Sequence, residues 1–480
     1  MTSHVNRLWR ALALAAALGP WLCACRVGPN YRRPDLPLGA DGPLVSLNAR
    51  IETATAPPDA WWRLYSDARL DGLVQEAFVA NRGLVAADAN FQGARAAAAA
   101  VHAGRYPSTQ AVGGAVRGRD PVTDEILELT GRSPQTLWLY EDVFQAAYEV
   151  DLFGRIHRAI EAANANAESL AAYRDSVRVI VAAETARSYA AICALGEELE
   201  VAHHSLDVVT HEAEITQNRY EAGAGSQLDV TRARALVAQV AATIPELESS
   251  RSVALFELTA ILGRTPARAP RELEECNAPP RIASLIPIGD GRSLISRRPD
   301  VRQAERRLAA ATAQIGVATA DLYPTIRLAG FYGGAAVEPS QLTNSVGLIW
   351  GVGPSISWSF PNQAGPRARI AQARASQAAA LASFDSVVLT ALKETEQALA
   401  QYSAALDHRQ ALADAQGQIH RSFDIAHAGY VAGSQSNLDL LTTEQSLVSL
   451  DAAVAASDAA LIQLQIAVFK ALGGGWENES

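Results

Sequence analysis

Aromatic residues make up only 6% of this chain, although 49% of its 480 residues are apolar. That imbalance does not fit an ordinary large globular core, and the missing bulk is supplied by alanine. Lysine is nearly absent, and arginine carries the positive charge without forming a basic run. With a formal net charge of -10, this argues against nucleic acid as a partner, because phosphate binding needs a basic surface. Methionine occurs only as Met1, so the chain offers no thioether relay for soft metal ions. Metal-ligand spacing, a nucleophile elbow and a phosphate loop are all missing. Gly333-Gly334 and the Gly473–Gly475 run follow no nucleotide-binding pattern, so the sequence gives no support to an enzyme and implies no cofactor. What is present is long Ala-rich sequence with scattered Glu, Arg and Gln. Alanine costs least in a helix and lets backbones approach closely, so a mostly helical architecture is expected.

The N-terminus sets the compartment. Arg7 and Arg10 precede an apolar run from Ala11 to Leu18, too short to span a bilayer but suited to a signal-peptide core. Residues 1–24 are therefore expected to be removed. Leu22-Cys23-Ala24-Cys25 resembles a bacterial lipobox, in which small residues precede a Cys that is acylated and becomes the new N-terminus. Cys25 fits that position. Cys23 does not, because Leu22 is too large just before the cleavage point. Arg26 follows where an inner-membrane retention signal would have Asp, so the resemblance implies outer-membrane sorting. A diacylated, N-acylated Cys25 carries enough buried methylene to hold the chain to outer-membrane lipid.

Cys193 and Cys276 remain in the mature chain. An oxidising periplasm permits one disulfide, but their spacing matches no metal or redox motif, and two separate structural thiols are the expectation. His203, His204 and His211 are read as part of a solvated helix face, since adjacent residues point to different sides.

Repeats carry the clearest signal. Arg219-Tyr220-Glu221-Ala222-Gly223 with Ser226-Gln227-Leu228-Asp229-Val230 recurs after 210 residues as Gly429-Tyr430-Val431-Ala432-Gly433 with Ser436-Asn437-Leu438-Asp439-Leu440. Arg105-Tyr106-Pro107-Ser108 recurs as Leu322-Tyr323-Pro324-Thr325, and each copy follows an Ala-rich stretch. Asp151-Leu152-Phe153-Gly154-Arg155 is answered by Ser359-Phe360-Pro361 leading to Gly365-Pro366-Arg367. The chain reads as two tandem copies of one unit: helix, two strands, a very long helix, a turn and a return helix. Gly154 to Gly223 is 69 steps and Gly365 to Gly433 is 68. An unbroken helix of that span would be about 100 Å long at about 1.5 Å per residue. Ile156, Ile160, Ala163, Ala167 and Leu170, then Ile192, Leu195, Leu199, Ala202, Leu206, Val209 and Ala213, alternate steps of three and four, the signature of coiled-coil seams. Pro245 is expected to kink the first return helix.

The strands alternate with period two. Val346, Leu348, Trp350, Val352, Pro354, Ile356, Trp358 and Phe360 form an apolar face, opposite Gly347, Ile349, Gly351, Gly353, Ser355, Ser357 and Ser359. Trp138, Tyr140, Phe144, Tyr148, Val150 and Leu152 likewise oppose Glu141, Gln145, Glu149 and Asp151. About ten alternating residues with aromatics near the ends describe a transmembrane strand whose other face meets water. Two hairpins are expected, with loops near Arg117–Thr136 and Val337–Asn344. Four strands cannot close a barrel and lipid tolerates no open edge, so the chain must oligomerise.

Three stretches together resemble TolC-type outer-membrane factors, in particular the NodT-like lipoprotein branch that serves resistance-nodulation-division efflux pumps. They are Cys25-Arg26-Val27-Gly28-Pro29-Asn30-Tyr31-Arg32-Arg33-Pro34; Tyr148-Glu149-Val150-Asp151-Leu152-Phe153-Gly154-Arg155; and Arg297-Arg298-Pro299-Asp300-Val301 with Ala304-Glu305, Ile315-Gly316-Val317-Ala318 and Leu322-Tyr323-Pro324. The resemblance implies a mainly α fold with a membrane β-barrel. In it, a long periplasmic coiled-coil barrel and four strands per chain close as a twelve-stranded barrel in a homotrimer. It further implies a channel that passes solutes from a periplasmic adaptor and inner-membrane pump to the exterior. A type I secretion outlet and a non-conducting periplasm-spanning structural lipoprotein are the alternatives.

The expected organisation is a signal peptide (1–24), a lipidated N-terminal segment (25–66), a first repeat (67–262), an equatorial linker (263–298), a second repeat (299–470) and a tail (471–480). In the first repeat the strands are expected at about 106–152 and the long helices at about 155–262. In the second they are expected at about 323–361 and about 366–470. By resemblance, Asp439, Asp229 and Tyr430 match gate residues at the narrow periplasmic end. Gln435 stands where the archetype has Arg and Thr442 where it has Asp. Each Asp also completes a Ser-x-x-Asp capping pattern, so a gate ring and a helix cap both remain open for them.

Overall fold

The computed structural model describes residues 26–40, 42–46, 51–52, 58–119, 124–125, 128–131, 133, 136–282, 286–288 and 291–474. The expected signal peptide and Cys25 lie outside these residues, as does most of the tail. Eight helices and four long strands organise the described chain: α1 (Ala68–Ala80), α2 (Arg82–His102), β1 (Ser108–Gly118), β2 (Leu137–Val150), α3 (Arg155–Glu221), α4 (Gln227–Ile261), α5 (Gly291–Arg297), α6 (Pro299–Ala320), β3 (Thr325–Ala336), β4 (Leu348–Ser357), α7 (Ala364–Val431) and α8 (Asn437–Ala471). A two-residue parallel pair, Ile51–Glu52 with Ile286–Pro287, is separate from the main sheet.

Two compact units emerge, and each draws on both tandem copies. The first comprises residues up to Pro34, Gln92–Ser169 and Glu305–Ser383; the second comprises Asp35–Phe91, Leu170–Ala304 and Phe384–Ser480. The repeat therefore describes the order of elements along the chain and not its folding units. Strands and helices from the two copies pair with one another.

The first unit is built on an antiparallel sheet of order β1-β2-β3-β4. Its central pair joins the copies, with Phe144 opposite Tyr332 and Glu149 opposite Arg327. At the strand bases Phe153 stacks on Tyr323 at 4.5 Å, tying the exit of β2 to the entry of β3. The N-terminal segment is fastened here too. Val27 N–H donates to Phe153 O (3.3 Å), and the buried Arg158 donates to Val27 O (3.2 Å), Gly28 O (3.3 Å) and Asn30 Oδ1 (2.7 Å). Gly28, at φ +86°, lies so close to α6 that a Cβ on it would collide with Gly316 Cα, while a Cβ on Gly316 would run into the Arg158 side chain.

The second unit holds the main core. Trp61 is fully buried and stacks on Phe469 at 4.9 Å, surrounded by Leu70, Val74, Tyr189, Ile192, Leu255 and Leu258. Burying aromatics of this size contributes a few kcal/mol each, and truncating one to Ala costs about 3–5 kcal/mol. A smaller cluster gathers Ile295, Val301, Phe384 and Val388. Pro299 and Asp300 open α6, as their chemistry favours, and Asp300 also accepts from Arg298 at 2.8 Å. Pro245 lies inside a continuous α4.

Two expectations are corrected here. Cys193 and Cys276 are not separate thiols; they form a disulfide with Cα atoms 4.7 Å apart. The segment after α4 folds back onto α3, where Gly196 leaves no side chain in the way of the Cys276 carbonyl and Arg251 donates to that carbonyl at 2.8 Å. The coiled-coil seam of α3 also departs from expectation at its end. After Val209 it buries Glu212 and Thr216, while Ala213 is only half-buried. The three-four spacing continues through a carboxylate that an apolar pattern passes over.

Candidate functional site

Two regions are candidates for function, the apolar face of the sheet and the turns between the long helices. The sheet register settles the first. Ala111, Phe144, Tyr332 and Trp350 form one row across all four strands, and Val150, Ile326 and Ile356 form another. Among the described residues little is packed on this apolar face: Trp350 is 68% exposed, Val352 73% and Ile356 71%. Patches of this kind on a soluble surface mark a missing apolar partner, and the chemistry of this face matches hydrocarbon. Asp142 departs from the pattern, sharing the face with Tyr140 and Phe144 between Gly113 and Gly334. The other face is mixed: Glu149 takes Arg155 at 2.7 Å and Arg327 at 3.5 Å, while Phe331 lies over Gly351 and Val143 is buried.

Both helix turns have the same construction. Gly223 and Gly433 each adopt φ +77° at the ends of α3 and α7. Gly223 N–H donates to Tyr220 O and Ala224 N–H to Arg219 O at 2.9 and 2.8 Å; Gly433 and Ser434 repeat the pattern on Tyr430 and Gly429 at 3.0 and 2.8 Å. This double closure satisfies orphan carbonyls and requires a left-handed residue, which explains the glycines.

Asp229 and Asp439 sit just beyond these turns as first-turn acids. Asp229 accepts from Ser226 Oγ (2.7 Å) and Ser226 N (3.2 Å), and its own N–H donates to Ser226 Oγ (3.2 Å). Asp439 accepts from Ser436 Oγ (2.6 Å), with its N–H returning to Ser436 Oγ (3.2 Å). Ser226 and Ser436 are the N-caps; Asp229 completes a reciprocal capping box with Ser226, whereas the Asp439 carboxylate accepts from the Ser436 hydroxyl. Asp439 is exposed and Asp229 half-buried. Tyr430, by contrast, is buried beneath Arg219, whose guanidinium lies 4.3 Å from the ring centroid and donates to Tyr430 O at 2.7 Å. The structure therefore brings Tyr430 together with Arg219, a residue the motif comparison did not single out. The one visible signal was that Arg219 stands where the second copy has Gly429. Gly429 is needed there because a Cβ would collide with Gln435 Cγ. Thr442 donates back to Leu438 O at 2.9 Å within its own helix.

The chain matches the family described as Outer membrane efflux protein over residues 73–264 and 291–474. Nodulation protein T of Rhizobium leguminosarum bv. viciae is 29% identical over 475 residues, covering 96% of this chain and 93% of that protein. The probable efflux pump outer membrane protein TtgC of Pseudomonas putida is 27% identical over 463 residues, covering 96% and 94%. Among solved structures, the outer-membrane channel OprN superposes with a TM-score of 0.86 at 33% identity, over 94% of this chain and all of that one. An unpartnered aromatic sheet face, paired glycine-closed helical hairpins and these likenesses lead to one assignment: the chain belongs to the outer membrane efflux protein family and serves as an outer-membrane efflux channel, not an enzyme.

Proposed function

We propose that three copies of this chain close a twelve-stranded barrel in the outer membrane, anchored by acylated Cys25, and that a periplasmic adaptor and an inner-membrane pump deliver solutes to it. The observation that carries this reading is the open four-stranded sheet with its exposed apolar face. Among the described residues, β1 and β4 each leave one edge of backbone donors and acceptors unpaired, and lipid would make every such group cost several kcal/mol. Pairing β4 of one copy with β1 of the next removes both edges. An apolar stretch of α7 supports the same conclusion, since only 17% of it is buried within one chain.

The fastening of the N-terminal segment supports the anchor. Val27, two positions after Cys25 in the sequence, is bonded to Phe153, three residues past the end of β2, where a strand would leave the membrane. Relatives named for toluene efflux (27% identical) and for pyoverdine export (29% identical) differ in cargo while aligning with this chain. Cargo is therefore assigned to the pump and not to the tube. Crosslinking in mild detergent is expected to give a trimer, and intact-mass analysis an acylated N-terminal Cys25. A stable monomer that keeps its β signal would refute barrel closure, and an unmodified N-terminus at another residue would refute the anchor.

A further inference from the structure

A polar layer interrupts the apolar packing of the long helices close to the turns. On one side lie Val209, Leu236 and Val240 with Leu441 and Val448; on the other lie Ala426, Tyr430 and Leu440 with Ile215 and Phe423. Glu212 falls midway between Val209 and Ile215 on α3, and Glu444 falls between Leu440 and Val448 on α8, so both belong to the layer between these clusters. Their exposures are 6% and 2%. His427 Nε2 on α7 lies 3.1 Å from Glu212 Oε1. Glu212 Oε2 and Glu444 Oε1 are buried and have no hydrogen-bond partner among the described residues.

The surrounding charges are few. From α3 the layer receives Glu212 and, beside it, the exposed His211; from α7 it receives His427. The α4 stretch that packs here offers Ala233, Leu236 and Val240, while its Arg234 is exposed and donates to Gln217 at 3.2 Å. On either side, His420 pairs with Asp451 at 3.1 Å and Arg219 is engaged with Tyr430. No arginine or lysine meets Glu444 among the described residues. Two carboxylates buried in one layer away from water cannot both ionise without cost.

We propose that Glu444 is a proton-operated latch for the ends of the long helices. Protonated, it lets α8 stay packed against α3 and α7. Deprotonated, it repels Glu212 across the apolar layer and loosens that packing. Burial first, and then the Glu212 charge, push the Glu444 carboxyl up to about 8. Burial also raises Glu212, with His427 and His211 opposing the shift. A folded-state value above the ordinary carboxylate value of about 4.3 means that the stabilisation is fully present below that pH and is lost as pH rises through about 8. Acid therefore tightens the helix ends and alkali releases them.

The test uses the full-length protein in planar bilayers, scanned from about pH 5.5 to about pH 9 in potassium chloride, with infrared difference spectra on the same preparations. Wild-type conductance is expected to rise at least about threefold across the scan, while Glu444→Gln stays at the low level throughout. The carboxylic-acid C=O stretch should vanish with a midpoint near 8 in the wild type, be missing in Glu444→Gln, and vanish at lower pH in Glu212→Gln. A wild-type pH response retained by Glu444→Gln would overturn the latch. So would a titrating band with flat conductance. Conductance that responds to a chelator at fixed pH would also overturn it, assigning the buried oxygens to a bound cation. The inference rests on the channel reading only for its electrical readout. A preparation that conducts under no condition would sink the channel, whereas the infrared titration would still decide whether Glu444 holds a proton.

Discussion

Arg219 lies across the ring of Tyr430, with its guanidinium carbon 4.3 Å from the ring centroid and Nη1 donating to the Tyr430 carbonyl at 2.7 Å. One residue lies near the end of the long helix of the first copy and the other near the end of that of the second, so the pair adds to the contacts that join the two turns. A cation over an aromatic face contributes about 0.5–2 kcal/mol, and the charged hydrogen bond adds about 1.5–3 kcal/mol. Arg219→Ala is expected to raise single-channel conductance. Arg219→Lys, which keeps charge but loses the planar stack, should fall between the two. Equal conductance in all three proteins would remove the pair from any gating role.

Asp229 and Asp439 offer a sharper distinction. As helix caps, each should cost about 0.5–2 kcal/mol of local stability when changed to Ala and leave ion selectivity alone. As rings of charge in a narrow trimeric mouth, their loss should shift the reversal potential in a salt gradient toward weaker cation preference, with the exposed Asp439 giving the larger change. Hydrogen bonding inside the chain satisfies the cap role already. An unchanged reversal potential in the double mutant that still assembles would therefore end the gate hypothesis.

The Cys193–Cys276 bridge closes a span of 83 residues that contains all of α4. Replacing both cysteines with Ser should lower the unfolding free energy by about 2–5 kcal/mol and leave conductance unaltered. Limited proteolysis is expected to cut first near Ala278, where the segment leaves its Arg251 and Gly196 contacts. Cutting elsewhere, with unchanged thermal stability, would show that the bridge is dispensable.

The two faces of β4 should answer charge differently. Val352→Arg places a guanidinium on the apolar face and is expected to destabilise the assembled protein by about 2–4 kcal/mol. Ser355→Arg, on the opposite face, should assemble normally and alter conductance. Loss of assembly from Ser355→Arg with normal assembly of Val352→Arg would reverse the facing of the sheet.

Much of this was legible because period and repetition are properties of neighbours in sequence. The alternation from Leu348 to Ser357 states which side chains share a face before any partner strand is known. The recurrence of Tyr-x-x-Gly located both turns, and the glycines at φ +77° give the reason. What escaped depends on residues distant in sequence. The disulfide needs the chain after α4 to return to α3, a fact that a spacing of 83 does not encode. Glu212 was passed over in favour of Ala213 because a seam was expected to be apolar, and only the opposing Glu444 and His427 give the buried carboxylate its meaning. Arg158 likewise looks like any surface arginine until the N-terminal segment is laid across it.

The two free edges of the sheet are unlike. On the outward face β4 presents Trp350, Val352 and Ile356, whereas β1 presents Thr109, Ala111, Gly113 and Ala115. A seam that joins them is directional, with bulky side chains from one copy set beside small ones from the next, and each copy can give only one edge of each kind. In the proposed ring, a chain with a spoiled β1 would still be accepted through its intact β4 and would then have nothing to offer the copy that should follow. Such a variant should act as a poison subunit: expressed beside the normal protein, it would deplete working assemblies well beyond its own share of the chains. Inheritance of the defect would be dominant where loss of a freestanding subunit would be recessive.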